Sequence, residues 1–500
     1  MKTFSAKRTA IYIFCLTLLS KCFGFLREVC IANSFGTSFV TDAYVLSTSI
    51  PGMLFGGILG AIGTAYTPVY SRVVEKGKDG NKFTSQLITV VESVAVLSSV
   101  VGLLFAPQIA GLVAKNFSHQ ALELCIFYTR VAFSFALFTS AKSILDAFLR
   151  YKNIFIPQMI GDYVQNICVI TATVISAKTN NHYLIFGLFF GYFISCLVTY
   201  AISKKEDFRY RMQFNVNAEI KEVLVFALPV FLSSELATVN TFIDRYLAAG
   251  LKTGSISSLQ YGSIIATLAL TLTASIISTV MYPKITKDAA NENWNHYKET
   301  CQRCITMDLM IVIPCAIGFA AFSNEIIQVI YERGAFGGTS TQMTAIALLM
   351  YSFMVPFSAI QSVLSQMCYS LEDSKSPFIC GIVAVPVNIA LNLILVSKMA
   401  HAGLALATSI SAAISMTLLS IIFSVKHKHA KLHIDIKKLL IIIAASCISI
   451  GLAKPFYNLI HKYIMSRTIL LGLSGCFAAV LYFALLTITK VDEYKEFFSK

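Results

Sequence analysis

Long apolar runs separated by short polar turns organise the chain, and their length is more informative than their period. Fourteen can be marked: residues 9–34, 42–71, 86–114, 120–149, 154–177, 182–203, 221–250, 257–282, 300–322, 340–370, 376–397, 400–425, 437–457 and 466–489. A helix crosses about 30 Å of hydrocarbon in roughly 20 residues, so each run is long enough to span a membrane. The alternating pattern of barrel strands is absent, and backbone groups in lipid must pair internally, so the runs are predicted to be helices. Several exceed 25 residues, which predicts tilt or kinks. Pro51, Pro229, Pro314, Pro356 and Pro386 fall inside them as expected kink positions. The predicted fold class is an all-α polytopic membrane protein of about 14 transmembrane helices.

The most polar internal stretch, Ser203–Lys221, divides six runs from eight. It predicts an N-terminal lobe over 1–203, a cytoplasmic amphipathic linker over 204–220, and a C-terminal lobe over 221–500. Span 1 leads into Thr41-Asp-Ala-Tyr44, and span 7 into Asp244-Arg-Tyr-Leu-Ala-Ala-Gly250; spans 2 and 8 end at Thr67–Arg72 and Met281–Thr286. Such weak correspondence between halves suits an internally duplicated transporter with its site at the repeat interface.

Composition agrees: 500 residues, 56% hydrophobic and 13% charged, with mean hydropathy +0.70, against about 25% charged in soluble domains. The net charge of +14 first suggests nucleic acid, but its placement explains it better. With the N-terminus inside, cytoplasmic segments hold 27 of the 40 Lys and Arg, the opposite side 8, and the spans the remaining five. The positive-inside rule then places both termini in the cytoplasm. The first run continues past Lys21 into Gly24 and Arg27 without a small-x-small cleavage site, so it reads as a span and not a cleaved signal. No G-x-x-x-x-G-K-[ST] loop or sizeable soluble segment exists, so hydrolysis or ATP-driven transport within this polypeptide is not expected.

Charges inside the spans carry the candidate chemistry. Each costs about 2.5–3.5 kcal/mol or more in hydrocarbon. One set is Lys21, Arg27, Glu28 and Asp42; a second is Asp244 with Arg245. Two such clusters, one in each half, suggest a polar cavity between two lobes. Ser20, Gly24 and Arg27 share a helix face beside Lys21, leaving room for an anion; the alternative is an internal strut in which Lys21 pairs with Asp42 or Glu28. Asp244 and Arg245 point about 100° apart, so each needs a partner elsewhere. Asn388 and Asn392 share one face, with Thr408 on the next span. Together with Asp244 they form a candidate Na⁺ site of hard oxygen donors, or else interhelical hydrogen bonds. Lys142 and Asp146 are an i, i+4 pair, read first as mutual neutralisation and second as cavity lining. Gly52, Gly56, Gly57, Gly60 and Gly63 predict either close packing or a bending, gate-forming span 2. The lone Cys301-Gln-Arg-Cys304 is read as buried thiols rather than zinc. His427, His429 and His433 are read as a headgroup-facing loop, and Trp294 as an interface anchor.

The chain also contains Gly24–Glu28 (GFLRE), Thr41–Tyr44 (TDAY), Tyr66–Ser71 (YTPVYS), Asp244–Tyr261, Tyr331–Leu348 (YERGAFGGTSTQMTAIAL), Tyr369–Phe378 (YSLEDSKSPF), Asn388–Leu393 and Gly403–Ala412. In this order and spacing they resemble the MurJ (MviN) family, the lipid II flippases of the MOP flippase superfamily. The resemblance implies fourteen helices in two lobes around a central cationic cavity of alternating access. Lys21, Arg27, Glu28, Asp42 and Arg245 are the candidate substrate-binding residues, suited to a pyrophosphate. Asp244, Asn388, Asn392 and Thr408 are the candidate metal ligands for Na⁺, with no other cofactor, and the resemblance implies either membrane potential or a cation gradient as the energy source. The partners implied are lipid II or a related undecaprenyl-pyrophosphate glycolipid, membrane lipid and peptidoglycan synthesis enzymes, in a bacterial cytoplasmic membrane. Many members carry a basic pair after the span 2 proline, where this chain has Phe55 and Gly56. Many also carry an arginine in span 8, where it reads Tyr261-Gly262-Ser263-Ile264. Either Arg245 compensates, or another undecaprenyl-linked oligosaccharide is the substrate. A cation-coupled multidrug exporter of the same superfamily would favour an acidic cavity, against which Lys21 and Arg27 count. A membrane-embedded glycosyltransferase would need a larger outer loop.

Overall fold

The computed structural model describes residues 6–276, 281–430, 435–489 and 491. Among them every regular element is a helix. The chain ends, on which the cytoplasmic placement of both termini rests, and His433 lie outside the described residues. The chain forms two compact units, one of residues 1–257 with Arg333–Phe336, the other of Ser258–Glu332 and the remainder from Gly337.

The first unit contains α1 (Ala6–Phe35), α2 (Phe39–Pro51), α3 (Gly57–Glu75), α4 (Gly80–Val113), α5 (His119–Phe133), α6 (Phe135–Tyr151), α7 (Ile156–Lys178), α8 (Leu184–Lys205) and α9 (Ala218–Ala248). The second contains most of α10 (Ser255–Ile276), then α11 (Tyr282–Ala290), α12 (Trp294–Ala321), α13 (Ser323–Tyr331), α14 (Gly338–Ser352), α15 (Met354–Ser370), α16 (Lys375–Lys426), α17 (Ile436–Ile460) and α18 (Arg467–Ile488). Among the described residues, nine helical stretches are long and apolar enough to cross a membrane, or ten with the pair α14 and α15 as one bent span. The 52-residue α16 is really two helices, because Ala400 (φ 50°, ψ −131°) breaks it at the first residue of the predicted run 400–425. Adding α1, α9 and α10, each of at least 22 residues, brings the segments of membrane length to the expected fourteen.

The breaks have local causes. Pro51 lacks an N–H and crowds the preceding turn, and the chain answers with a π-turn over Gly52–Gly56 before α3 resumes. Just past it, the Gly57 N–H donates to Glu235 Oε1 at 2.7 Å, while a Cβ on Gly57 would lie 2.0 Å from that oxygen. This seats α9 against α3 and gives the buried Glu235 a backbone donor. The α14–α15 bend is 42°, three residues before Pro356. Ser134 divides α5 from α6 without any proline.

Tyr66 and Tyr70 of the Y-T-P-V-Y-S segment are buried in the core of the first unit with Phe83, Phe148 and Phe208. Their rings stack at 5.1 Å, and the Tyr66 hydroxyl bonds Thr84 Oγ1 at 2.7 Å. The E-R-G-A-F segment also has a packing reason. Ala335 N donates to Asn33 O at 2.8 Å, and at Gly334 (φ +57°) a Cβ would meet that same oxygen at 2.4 Å.

One expectation is corrected in the second unit. His427 does not face headgroups: it is buried, with Nε2 3.0 Å from Asp373 Oδ2, and His429 packs its ring 4.2 Å from Trp294. The cause is Asp373, which caps the first turn of α16 by accepting from Ser376 N and Oγ (3.2 and 2.6 Å) and also takes Lys426 Nζ at 2.7 Å. Burial pushes this carboxyl up, but hydrogen bonds from Lys426, Ser376 and His427 outweigh burial and hold it well below the usual range. With a folded value below the unfolded value of about 3.9, the stabilisation is fully present above that pH and fades as pH falls toward the folded value. Asp373→Asn is therefore expected to cost on the order of 1–3 kcal/mol near neutrality. In thermal melts of the detergent-purified protein, its gap from wild type should narrow below about pH 4.

Candidate functional site

The N-terminal charges do not form one cluster. Asp42, on the first turn of α2, accepts from Gly254 N (2.5 Å), Ser257 N (2.8 Å) and Ser257 Oγ (2.8 Å). It thus caps the start of α10, 212 residues away, and is almost wholly buried. Its oxygens serve backbone donors, so the strut with Lys21 does not form. Arg27 and Glu28 do meet, although adjacent in sequence. Arg27 Nη2 and Nε reach Glu28 Oε1 at 2.6 and 3.2 Å, and Nη1 donates to Asn166 Oδ1 of α7 at 3.2 Å. Gly24 admits α7 here, since a Cβ would sit 4.0 Å from the Asn166 amide. Tyr44 and Tyr192 lie within electrostatic reach of the guanidinium.

Beside this group lies a chamber of about 460 Å³ whose lining comes from α2, the π-turn, α3, α6, α7 and α8. Gly52, Gly56 and Gly60 form one wall, and a Cβ on any of them would enter open space. These glycines clear volume, whereas Gly57 and Gly63 serve packing: a Cβ on Gly63 would lie 2.9 Å from Ser143 Oγ. Across from them, Lys142 Nζ pairs with Asp146 Oδ2 at 2.7 Å as the i, i+4 spacing predicts, and Thr199 bonds the other Asp146 oxygen at 3.4 Å. Asp162 of α7 lines the chamber together with Lys142 and Asp146 of α6. Arg150 also lines the chamber, as do Phe55 and Gly56.

Arg245 lines a smaller niche of about 210 Å³ with Thr238, Thr241 and Phe242 of α9. The niche shares Thr48 and Gly52 with the chamber, so Arg245 lies close to it across α2. Asp244 is buried in the same unit. Asn388 and Asn392 belong to the second unit, where Asn392 Nδ2 donates to Asn388 Oδ1 at 2.8 Å. The Thr408 hydroxyl donates to Leu404 O at 3.1 Å. Among the described residues no group of three or more His, Cys, Asp or Glu is placed to hold a metal ion.

Asp162, Gln158, Gln165 and Tyr192 were missed by reasoning from the sequence. Gln158, Asp162 and Gln165 recur at spacings of four and three, hence on one face of α7. Its mean hydropathy of 1.2 is the lowest among the nine membrane-length stretches, so a signal was there to be read.

A family model described as "Lipid II flippase MurJ" matches residues 31–471. A protein of Rickettsia prowazekii named "Probable lipid II flippase MurJ" is 25% identical over 97% of this chain and 98% of its own length. A solved structure, "Lipid II flippase MurJ, inward closed conformation", shares 24% identity with TM-score 0.82, covering 96% of this chain and 99% of its own. An inward-facing multidrug resistance transporter of the MATE family, in the MOP superfamily, shares 14% identity with TM-score 0.67, over 81% and 94%.

Proposed function

The chain belongs to the lipid II flippase MurJ family, and from that membership we propose that it carries lipid II across a bacterial cytoplasmic membrane by alternating access. Its work is transport. The observation that carries the reading is the chamber, with an open glycine wall on one side and Lys142 and Arg150 on the other. Arg27 stands beside it through Asn166 of α7, and Lys21 is proposed as a further cation.

Charge exchange is the proposed mode of binding. Without substrate, Arg27 is held by Glu28 and Lys142 by Asp146, which avoids the penalty of lone buried cations. A pyrophosphate dianion competes for those cations. Arg27 offers it a planar fork and Lys142 a compact charge. Glu28 then acts as the group displaced, and Asp42 as a structural cap outside the binding set. Arg245, one helix away, supplies a further cation in place of those missing at Phe55, Gly56 and Ile264. The moving bodies are the proposed lobes 1–203 and 221–500 with the cytoplasmic linker 204–220, both termini lying inside.

Asp244, Asn388, Asn392 and Thr408 offer one carboxylate, two amide oxygens and a hydroxyl, hard donors of the type Na⁺ takes. We infer from donor type that Asp244, the carboxylate among them, serves the coupling ion. Asp244→Asn is expected to lose most of any Na⁺-dependent rise in melting temperature, with K⁺ as the control. An undiminished Na⁺ shift would remove Asp244 from the site.

The absence of cations at Phe55 and Gly56 in the chamber wall favours a second reading, a related undecaprenyl-linked oligosaccharide as substrate. Depletion of the resident flippase in a bacterium expressing this chain separates the two. Growth supports lipid II; lysis despite normal membrane levels of the protein favours the other glycolipid.

A further inference from the structure

Residues 206–217, between α8 and α9, form an extended strap laid along the start of α4. Phe208 anchors it, fully buried against Phe148 with rings 5.6 Å apart. Asn81 Nδ2 donates to Asp207 O (2.8 Å), Arg211 N donates to Ser85 Oγ (3.2 Å), and the Tyr210 and Thr89 hydroxyls bond at 3.0 Å. Gln213 N reaches Thr89 Oγ1 at 3.4 Å, and Asn217 Nδ2 donates back to Gln86 at 3.2 Å. The strap therefore climbs α4 for about two turns and returns. Its inner edge is bonded to hydroxyls that are themselves buried.

The outer edge is different. Met212 and Phe214 are 67% and 70% exposed, Val216 49%, and Arg209 and Arg211 are exposed beside them. Lys204 and Lys205 lie exposed at the end of α8, with Glu206 and Asp207 following them on the far side of the Phe208 anchor. Extended backbone cannot satisfy itself in hydrocarbon, so the strap must stay at the membrane surface. Its height agrees: the large exposed apolar side chains of α4 begin at Val94, just beyond Thr89 where the strap turns back. Apolar side chains at that depth reach the acyl boundary while cations beside them sit among phosphates.

We propose that this strap is a binding site for anionic phospholipid of the cytoplasmic leaflet, with Arg209 and Arg211 on the phosphate and Met212 and Phe214 between the upper acyl carbons. The proposal requires only that the chain span a membrane; it is independent of the transported substrate.

The full-length protein, delipidated in detergent, is titrated with phosphatidylglycerol and with phosphatidylcholine and observed by native mass spectrometry. Wild type is expected to retain phosphatidylglycerol preferentially. R209Q/R211Q should weaken that binding on the order of tenfold, whereas M212S/F214S should weaken both lipids alike. All four side chains are exposed, so folding is preserved, and melting temperature checks this. Equal phosphatidylglycerol binding by wild type and R209Q/R211Q overturns the proposal. So does binding unchanged in M212S/F214S, which would remove the acyl contact on which the site depends. Lipid II plays no part in the assay, so failure here leaves the transport reading untouched.

Discussion

Gly60→Phe is expected to arrest transport while the protein stays folded in the membrane. Gly60 lies on the open wall of the chamber, and a side chain there meets no atom within 4 Å of its first carbon. The new ring can grow only into the chamber. No packed neighbour is displaced, and glycine is a poor helix former, so the stability change should stay within about 0.5 kcal/mol. Transport should fall by an order of magnitude or more, since ring and headgroup exclude each other in a chamber of about 460 Å³. Gly472→Phe on α18, which also enters open space, is the control and should transport normally. Growth under flippase depletion, with protein levels and melting temperatures, reads the comparison. If Gly60→Phe grows like wild type, the chamber does not hold the substrate.

Arg27→Ala should be the most damaging single charge removal. It takes away the guanidinium that bridges Glu28 and Asn166 and leaves Glu28 as a half-buried carboxylate without its counter-charge. Truncating a hydrogen-bonded charge of this kind weakens binding on the order of a hundredfold. A strut and an anion site make different predictions for the neutral pair R27Q/E28Q. If Arg27 serves only to neutralise Glu28, removing both charges restores function. If it binds pyrophosphate, the double variant stays inactive although both partners are satisfied, and this is the expected result. Arg27→Lys should recover only part of the activity, because an ammonium cannot serve two partners with a planar fork.

How much of this was legible in the sequence depends on distance along the chain. The spans were, because apolar length is a local property: 154–177 predicts α7 at Ile156–Lys178, and the break at Ala400 falls on the first residue of the predicted run 400–425. The Lys142–Asp146 pair was legible for the same reason. Asp42 was not, since its donors at Gly254 and Ser257 lie more than 200 residues away and are mostly backbone groups with no side-chain signature. The Glu235 contact was hidden too, because it depends on a π-turn that only the folded α2–α3 junction creates. Asp162 leaves a local trace, since Gln158, Asp162 and Gln165 share one face of α7, but its place beside Lys142 and Asp146 depends on packing between helices that no local pattern carries.

We propose that this chain moves lipid II and that the polar chamber of its first unit receives the headgroup. Purified protein in vesicles loaded with fluorescent lipid II tests it most directly, with exposure at the opposite leaflet followed under an imposed membrane potential and a Na⁺ gradient. Exposure is expected to lie well above protein-free vesicles for wild type and Gly472→Phe, and near background for Gly60→Phe and Arg27→Ala. Background rates for wild type under both driving forces, or equal rates for wild type and Gly60→Phe, would contradict it.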